Sequence, residues 1–184
     1  TGQVEVLRNE LEQAQEESRR DGLTGIYNRR AFDWFVEGLL DSGGLRKKKF
    51  ALLMLDLDDF KRINDQYGHP VGDRVLRGLV EICRGVIRSE DVFARLGGDE
   101  FAIVFPGASA RIAARKGRDI CRIVNSRVFT VEETDEQPSL ALSLSVSIGV
   151  TECKAGDQLV ELVKRADGAL YAAKHEGKNG VRVG

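Results

Sequence analysis

Along the chain, apolar residues first recur at spacings of three and four, at Val4, Leu7, Leu11 and Ala14, in a segment without proline and rich in Glu, Gln and Arg. That spacing predicts a helix whose narrow apolar stripe is a coiled-coil seam. Two or three heptads make a marginal helix alone, so the stripe predicts either a dimerising stalk or a solvated helix packed on its own domain. The pattern changes after residue 20. A turn-rich DGLTGIYNRR leads into a helix predicted over 30–40, with Phe32, Phe35, Val36 and Leu39 on one face, ended by Ser42-Gly43-Gly44.

Residues 50–55 are a continuous apolar run of strand length, the pattern of a buried strand, and they run into Asp56-Leu57-Asp58-Asp59. A helix starts after this acidic cluster and breaks near Gly68-His69-Pro70. A second is predicted over 71–87, with Val75, Leu79, Ile82 and Val86 in register and Asp73 in its first turn. Two β-rich arms, 92–96 and 101–105, flank Gly97-Gly98-Asp99-Glu100. Glycine accepts the positive φ of a tight turn, so this is a hairpin with two carboxylates at or beside its tip. There follow a helix over 108–124, a polar loop at roughly 130–139, an alternating strand over 142–150 with one buried face, an amphipathic helix over 158–174 and a short strand over 181–183. The interleaving predicts an α/β (α+β) sheet covered by helices.

Length and composition narrow the reading. At 184 residues the chain suits one domain with a short appendage. Charged residues make up 31%, but 28 basic against 29 acidic side chains leave a net charge of -1, so no positive excess points to nucleic acid or anionic lipid. Cys83, Cys121 and Cys153 are far apart and form no CxxC pair, which suits buried thiols in a reducing compartment, with cytoplasm as the expected location. No apolar run approaches the roughly 20 residues of a membrane span, no signal core follows the N-terminus, and direct membrane contact by this chain is not expected.

The candidate chemistry is acidic. If the strand ending at Asp56 lies beside the Gly97 hairpin, Asp56 and Asp99 pool hard oxygen ligands, and Mg²⁺ typically takes one or two carboxylates, waters and substrate phosphates. The turn after Asp56 opens a helix whose free N–H groups could hold a triphosphate, with Lys61 close by. A plainer reading stands beside this one, in which Asp58 and Asp59 cap a helix and Lys61 and Arg62 form a solvated face. GxxxxGK[ST] and GxGxxG are absent. The run from Asp56 lacks the glycine and glutamate of an EF-hand, and neither His69 nor His175 sits in a recognisable triad context.

Gly97-Gly98-Asp99-Glu100-Phe101, preceded by Arg95-Leu96, resembles the name motif of the GGDEF family of diguanylate cyclases. DGLTGIYNRR, DLDDFKRINDQYGHPVGD, SVSIGV and ADGALYAAKHEGKNGV also resemble family blocks, in the family's order, from Asp21 to Val181. The resemblance implies a fold related to nucleotidyl cyclases and polymerase palms, with a central mixed sheet of about five strands. It implies a catalytic domain over 20–184 that joins two GTP into cyclic di-GMP, and the heptad spacing before it predicts the helical stalk over 1–19. Asp56, the Leu57 carbonyl and Asp99 would hold Mg²⁺ or Mn²⁺. Asp99 would also accept the 3′-hydroxyl proton, Glu100 would complete the acidic site, and Lys61 would stabilise phosphate charge.

Asn64 and Asp73 fall where the family reads guanine, with His69 beside them, and Lys174 and Lys178 would reach the terminal phosphates. For the last groups the plainer readings are a helix-capping Asp73 and a solvated Lys174 near a helix end. Arg88-Ser89-Glu90-Asp91 is an RxxD five residues before Gly97, where the family binds its product as inhibitor. Alone, RxxD reads equally as a surface ion pair. Arg115, Arg118 or Arg122 would add a further arginine. The resemblance further implies an active homodimer and an upstream sensor in a parent protein that could be membrane-anchored. The alternatives are a catalytically silent module sensing GTP or cyclic di-GMP, and a purely structural dimerisation module.

Overall fold

The computed structural model describes residues 2–41, 49–131 and 139–184. In chain order the elements are α1 (Gly2–Glu17), β1 (Tyr27–Asn28), α2 (Arg29–Asp41), β2 (Phe50–Leu57), α3 (Phe60–Tyr67), α4 (His69–Val86), β3 (Val92–Gly97), β4 (Glu100–Pro106), α5 (Ala110–Ser126), β5 (Val128–Val131), β6 (Leu140–Ser143), β7 (Val146–Glu152), α6 (Leu159–His175) and β8 (Gly180–Val183). The proposed helix stop at residues 42–44 and most of the polar loop, 132–138, lie outside the described residues.

Six strands form the main sheet in the order β1-β3-β4-β2-β7-β8, mixed because β1 pairs with β3, and β7 with β8, in parallel. This agrees with the expected mixed sheet of about five strands, with one more than the pattern shows. The added strand is β1, two residues inside the turn-rich segment, too short for any periodicity to betray it. Strand β2 sits centrally and is buried throughout, so its alternate side chains face two cores. Ala51, Leu53, Leu55 and Leu57 join the cluster under α3, α4 and α5, whereas Phe50, Leu52 and Met54 join the one containing Phe32 and Val36 of α2 and Leu162, Ala166 and Leu170 of α6. Asp56 has the second parity and so emerges on the α6 face.

The single alternating strand expected over 142–150 is instead two. Strand β6 pairs with β5 in a separate hairpin, the chain leaves that ladder at Leu144-Ser145, and β7 joins the main sheet. Strand β7 is buried on both faces because it lies between β2 and β8 with helices above and below. Its small residues allow this. A Cβ at Gly149 would lie 2.2 Å from both the Ala166 carbonyl and the Leu170 nitrogen, so α6 rests directly on the strand backbone.

Helix α1 does not pack on the domain. Val4, Leu7 and Leu11 are 69%, 64% and 59% exposed, which rules against the packed-helix alternative for this stripe. The chain then turns into the domain through bonds from Asn28, whose side-chain amide donates to the Ser18 carbonyl at 2.8 Å and whose backbone N–H donates to the Arg19 carbonyl. The Arg19 guanidinium lies over the Trp34 ring at 4.8 Å and that of Arg20 over Tyr27 at 4.1 Å, cation–π contacts that tie the helix end to α2 and β1. No helix among the described residues is long and apolar enough to cross a membrane.

Candidate active site at the β2 end and the hairpin tip

Strand β2 pairs antiparallel with β4, with Asp56 opposite Glu100, so the condition on which the sequence argument rested is met. Asp99 sits at the tip of the β3–β4 hairpin, after Gly98 at φ 51. The Asp56 side chain is buried, one oxygen accepts a hydrogen bond from Lys174 Nζ, and the other, Oδ1, has no partner. Burial first, and then the neighbouring Asp56 carboxylate, pushes the Asp99 carboxyl up to about 7. Two adjacent carboxylates with a buried, unpaired acceptor oxygen are a donor set that a hard divalent cation fits. Among the described residues no group of three or more His, Cys, Asp and Glu is placed to hold a metal ion together, so a cation here would need oxygens from backbone, water or substrate as well. Glu100 is beside the pair in the ladder but exposed.

The β2–α3 turn resolves the ambiguity over its acidic residues. Asp59 occupies the N-cap position of α3 in a left-handed conformation, φ 58, yet makes no capping bond. Its carboxylate accepts from Lys178 Nζ at 2.7 Å, and that bond holds it below the usual carboxylate range. Asp58 is buried and accepts from the hydroxyls of Ser145 and Ser147 and the N–H of Asn179, so it caps nothing. Lys61 is exposed in the first turn of α3, three residues from Asn64 and hence on one helix face with it.

At the α3–α4 corner Asn64 is half-buried, and its amide oxygen is buried without a partner. Gly72 makes room for it, since a Cβ there would lie 1.9 Å from that oxygen. Helix α4 begins at His69, which is exposed, with Gly68 as its N-cap. Asp73 is therefore the fifth residue of the helix and not in its first turn, and the capping alternative for it falls. Lys174 is not a freely solvated charge either, because it pairs with Asp56.

Two residues of the sequence motifs to which the pattern assigned no role, Arg95 and Asp21, hold the hairpin tip. Arg95 Nε donates to the Gly98 carbonyl at 2.8 Å, and its Nη1 lies 3.2 Å from the Asp21 carboxylate. Burial would raise the Asp21 carboxyl, but hydrogen bonds from the Thr24 hydroxyl and N–H, with Arg95, hold it below its ordinary value. The chain just after α1 is thus bonded to the turn that carries Asp99. The long sequence separation of Asp21 and Arg95 hides this pairing from any local pattern.

The RxxD segment lies at the other end of β3, roughly 20 Å away at about 3.3 Å per strand residue. Its surface ion-pair reading does not hold. Asp91 accepts from the Arg88 backbone N–H at 2.8 Å and so closes the turn, while the Arg88 guanidinium is 3.7 Å from Glu90. Burial raises the Asp91 carboxyl, against the pull of the Arg88 N–H and of Lys116. On α5, Lys116 reaches the Val86 carbonyl at 2.8 Å, Arg122 pairs with Asp119 at 2.9 Å, and Arg115 and Arg118 are exposed.

A family model described as "Diguanylate cyclase, GGDEF domain" matches residues 18–180. The chain is 37% identical over 181 residues to the diguanylate cyclase VdcA of Vibrio cholerae, covering 98% of this chain and 51% of that protein. It is 35% identical over 178 residues to the response regulator PleD of Caulobacter vibrioides, covering 97% of this chain and 38% of PleD. It therefore spans about half or less of the length of these relatives. Among solved structures, the coiled coil and GGDEF domain of DgcB from Caulobacter crescentus, in complex with c-di-GMP, superposes with a TM-score of 0.91 at 35% identity, covering 100% of this chain and 94% of that one. The diguanylate cyclase SiaD of Pseudomonas aeruginosa, in complex with its activator SiaC, gives 0.85 at 31% identity, covering 98% of this chain and 67% of that one.

Proposed function

Because this chain belongs to the GGDEF domain family of diguanylate cyclases, we propose that residues 20–184 condense two GTP molecules into cyclic di-GMP and two pyrophosphates, with residues 1–19 as a dimerising stalk. The observation that carries this reading is the Asp56–Asp99 pair, a buried acidic site with an unpaired oxygen at the end of the central strand. Mg²⁺ or Mn²⁺ held by Asp56, the Leu57 carbonyl and Asp99 would supply Lewis-acid stabilisation of the phosphoryl oxygens. The 3′-hydroxyl of one GTP attacks the α-phosphorus of the other, its proton passes to Asp99 and pyrophosphate leaves. A carboxyl poised near neutrality suits that transfer.

Lys61 offsets charge developing on the phosphates, and Lys174 and Lys178 turn from Asp56 and Asp59 to the terminal phosphates. The unpaired Asn64 oxygen and the Asp73 carboxylate suit the N–H donors of guanine, with Glu100 and His69 at the margins of the site. Each domain offers one such site, whereas the product contains two phosphodiester bonds made reciprocally. Two copies must therefore face each other, and the exposed Val4, Leu7 and Leu11 stripe is the seam that brings them together. A sensor upstream would act through this stalk, and the domain works in the cytoplasm, where GTP is available.

The test is GTP turnover across a range of protein concentrations, followed by chromatography of cyclic di-GMP. Product rising more steeply than linearly with protein is the expected result. GTP binding with no product at any concentration would replace the enzyme by a nucleotide sensor. At the second site, the exposed Arg88 guanidinium binds product with the Asp91 turn beside it. Arg88→Ala is expected to weaken cyclic di-GMP binding by about 10- to 100-fold, the scale of a charge-assisted contact, and to relieve inhibition. Unchanged affinity by calorimetry would remove Arg88 from that site.

A further inference from the structure

Asp58 is a buried carboxylate that the reaction above does not use. Its surroundings are complete: the Ser145 hydroxyl donates to it at 2.6 Å, the Ser147 hydroxyl at 2.7 Å and the Asn179 N–H at 3.1 Å, while its own N–H donates to the Ser145 carbonyl at 2.9 Å. It lies between Leu57, whose carbonyl is a candidate ligand, and Asp59, the partner of Lys178. Three separate segments thus meet on one side chain: the β2–α3 turn, the break between β6 and β7, and the loop after α6.

That loop is costly to hold in shape. Lys178 and Asn179 are consecutive non-glycine residues in the left-handed region, at φ 60 and φ 45. Such a conformation persists only where the surroundings impose it. The bond from the Asn179 N–H to Asp58 is a constraint of that kind, and it acts one residue from Lys178. A buried carboxylate accepting from three donors gives a stiffer anchor than a solvent-exposed pair such as Lys178–Asp59 could supply alone.

We propose that Asp58 is a positioning residue, which acts through the Asn179 N–H to hold Lys178 over the acidic turn in the geometry that engages the terminal phosphates of GTP. The inference rests on the diguanylate cyclase reading. Groups that orient catalytic ligands without touching substrate commonly matter by about 10- to 100-fold.

The experiment is a double-substitution cycle on the full chain, with GTP turnover, amide hydrogen exchange and cyclic di-GMP affinity as readouts. Asp58→Asn is expected to lower kcat/KM by about 10- to 100-fold. In a Lys178→Ala background the same change should cost less than about 3-fold, because the group it positions is gone. Ser145→Ala retains the Asp58 charge and should lose activity in the same direction, while Ser145→Thr restores it by returning the hydroxyl. Independently of any turnover, Ser145→Ala should speed amide exchange in 176–181 and leave α2 and α5 unchanged. Cyclic di-GMP affinity at Arg88 should stay as in the parent protein, reporting an intact fold.

Equal losses in both backgrounds would make Asp58 merely structural and overturn the proposal, as would unchanged exchange in 176–181. A parent protein that makes no cyclic di-GMP would fail the functional reading instead, with the exchange result then deciding whether the anchor exists.

Discussion

Asp99→Ala abolishes cyclic di-GMP synthesis, with a loss of roughly 10²- to 10³-fold or more, the scale of removing one preorganised electrostatic group from an active site. The same substitution leaves the protein folded. Asp99 is raised to about 7 from an ordinary 3.8, chiefly by burial and then by the Asp56 carboxyl. A carboxyl whose folded value lies above its unfolded value stabilises the fold at low pH. That contribution is lost as pH rises from about 4 through about 7. The variant lacks this loss, so without divalent metal its melting temperature should gain on that of the parent between pH 5 and pH 8. A group that costs stability where it is ionised and is required for turnover is a functional group. Full turnover in the variant would remove Asp99 from the metal and base roles, and a melting difference that does not change with pH would contradict the raised Asp99 value.

Gly149→Ala has the largest expected effect on stability. The added Cβ would meet the Ala166 carbonyl and the Leu170 nitrogen at 2.2 Å and the Leu170 Cα at 2.8 Å. These are backbone atoms in the middle of α6, so no side-chain rotation relieves the clash and the helix must lift from β7. The expected cost is about 3 kcal/mol or more, at or beyond the upper end of ordinary overpacking. For a chain of this length that lowers the melting temperature by about 10 °C. Lys174 rides on α6, so turnover should fall with it. Gly168→Ala is the control on the same helix, because nothing lies within 4 Å of its added Cβ and the helix should gain about 0.5–1 kcal/mol. A Gly149→Ala protein that melts like the parent would mean that α6 does not rest on the strand backbone.

Arg95 illustrates how a motif can be visible while its work is not. It stands two residues before Gly97 in the sequence, but its bonds run to Gly98 and to Asp21, on another part of the chain. Asn64 and Gly72 are similar. The amide was readable as a base-reading group, whereas the need for glycine opposite it follows only from the approach of α4 to α3. The pattern sets the start of α4 two residues late, at Val71 instead of His69, which misplaces Asp73 in the first turn, and the split of β6 from β7 is hidden because both halves share one apolar alternation.

From the amino-acid pattern alone came every element except β1, β5 and the break between β6 and β7, and with them the buried central strand, the acidic hairpin tip and the residue types from which the site is built. Those follow from local periodicity, from the turn preferences of glycine and from carboxylates placed next to apolar runs. Tertiary structure alone decided what each carboxylate does. Asp56 faces Asp99 and keeps an unpaired oxygen, Asp58 is enclosed by Ser145, Ser147 and Asn179, and Asp59 turns to Lys178. Within four residues these side chains carry the same formal charge and have nearly the same local propensities. Their roles separate only through burial and through partners about forty to 120 residues away in the chain, and no local pattern records such distances.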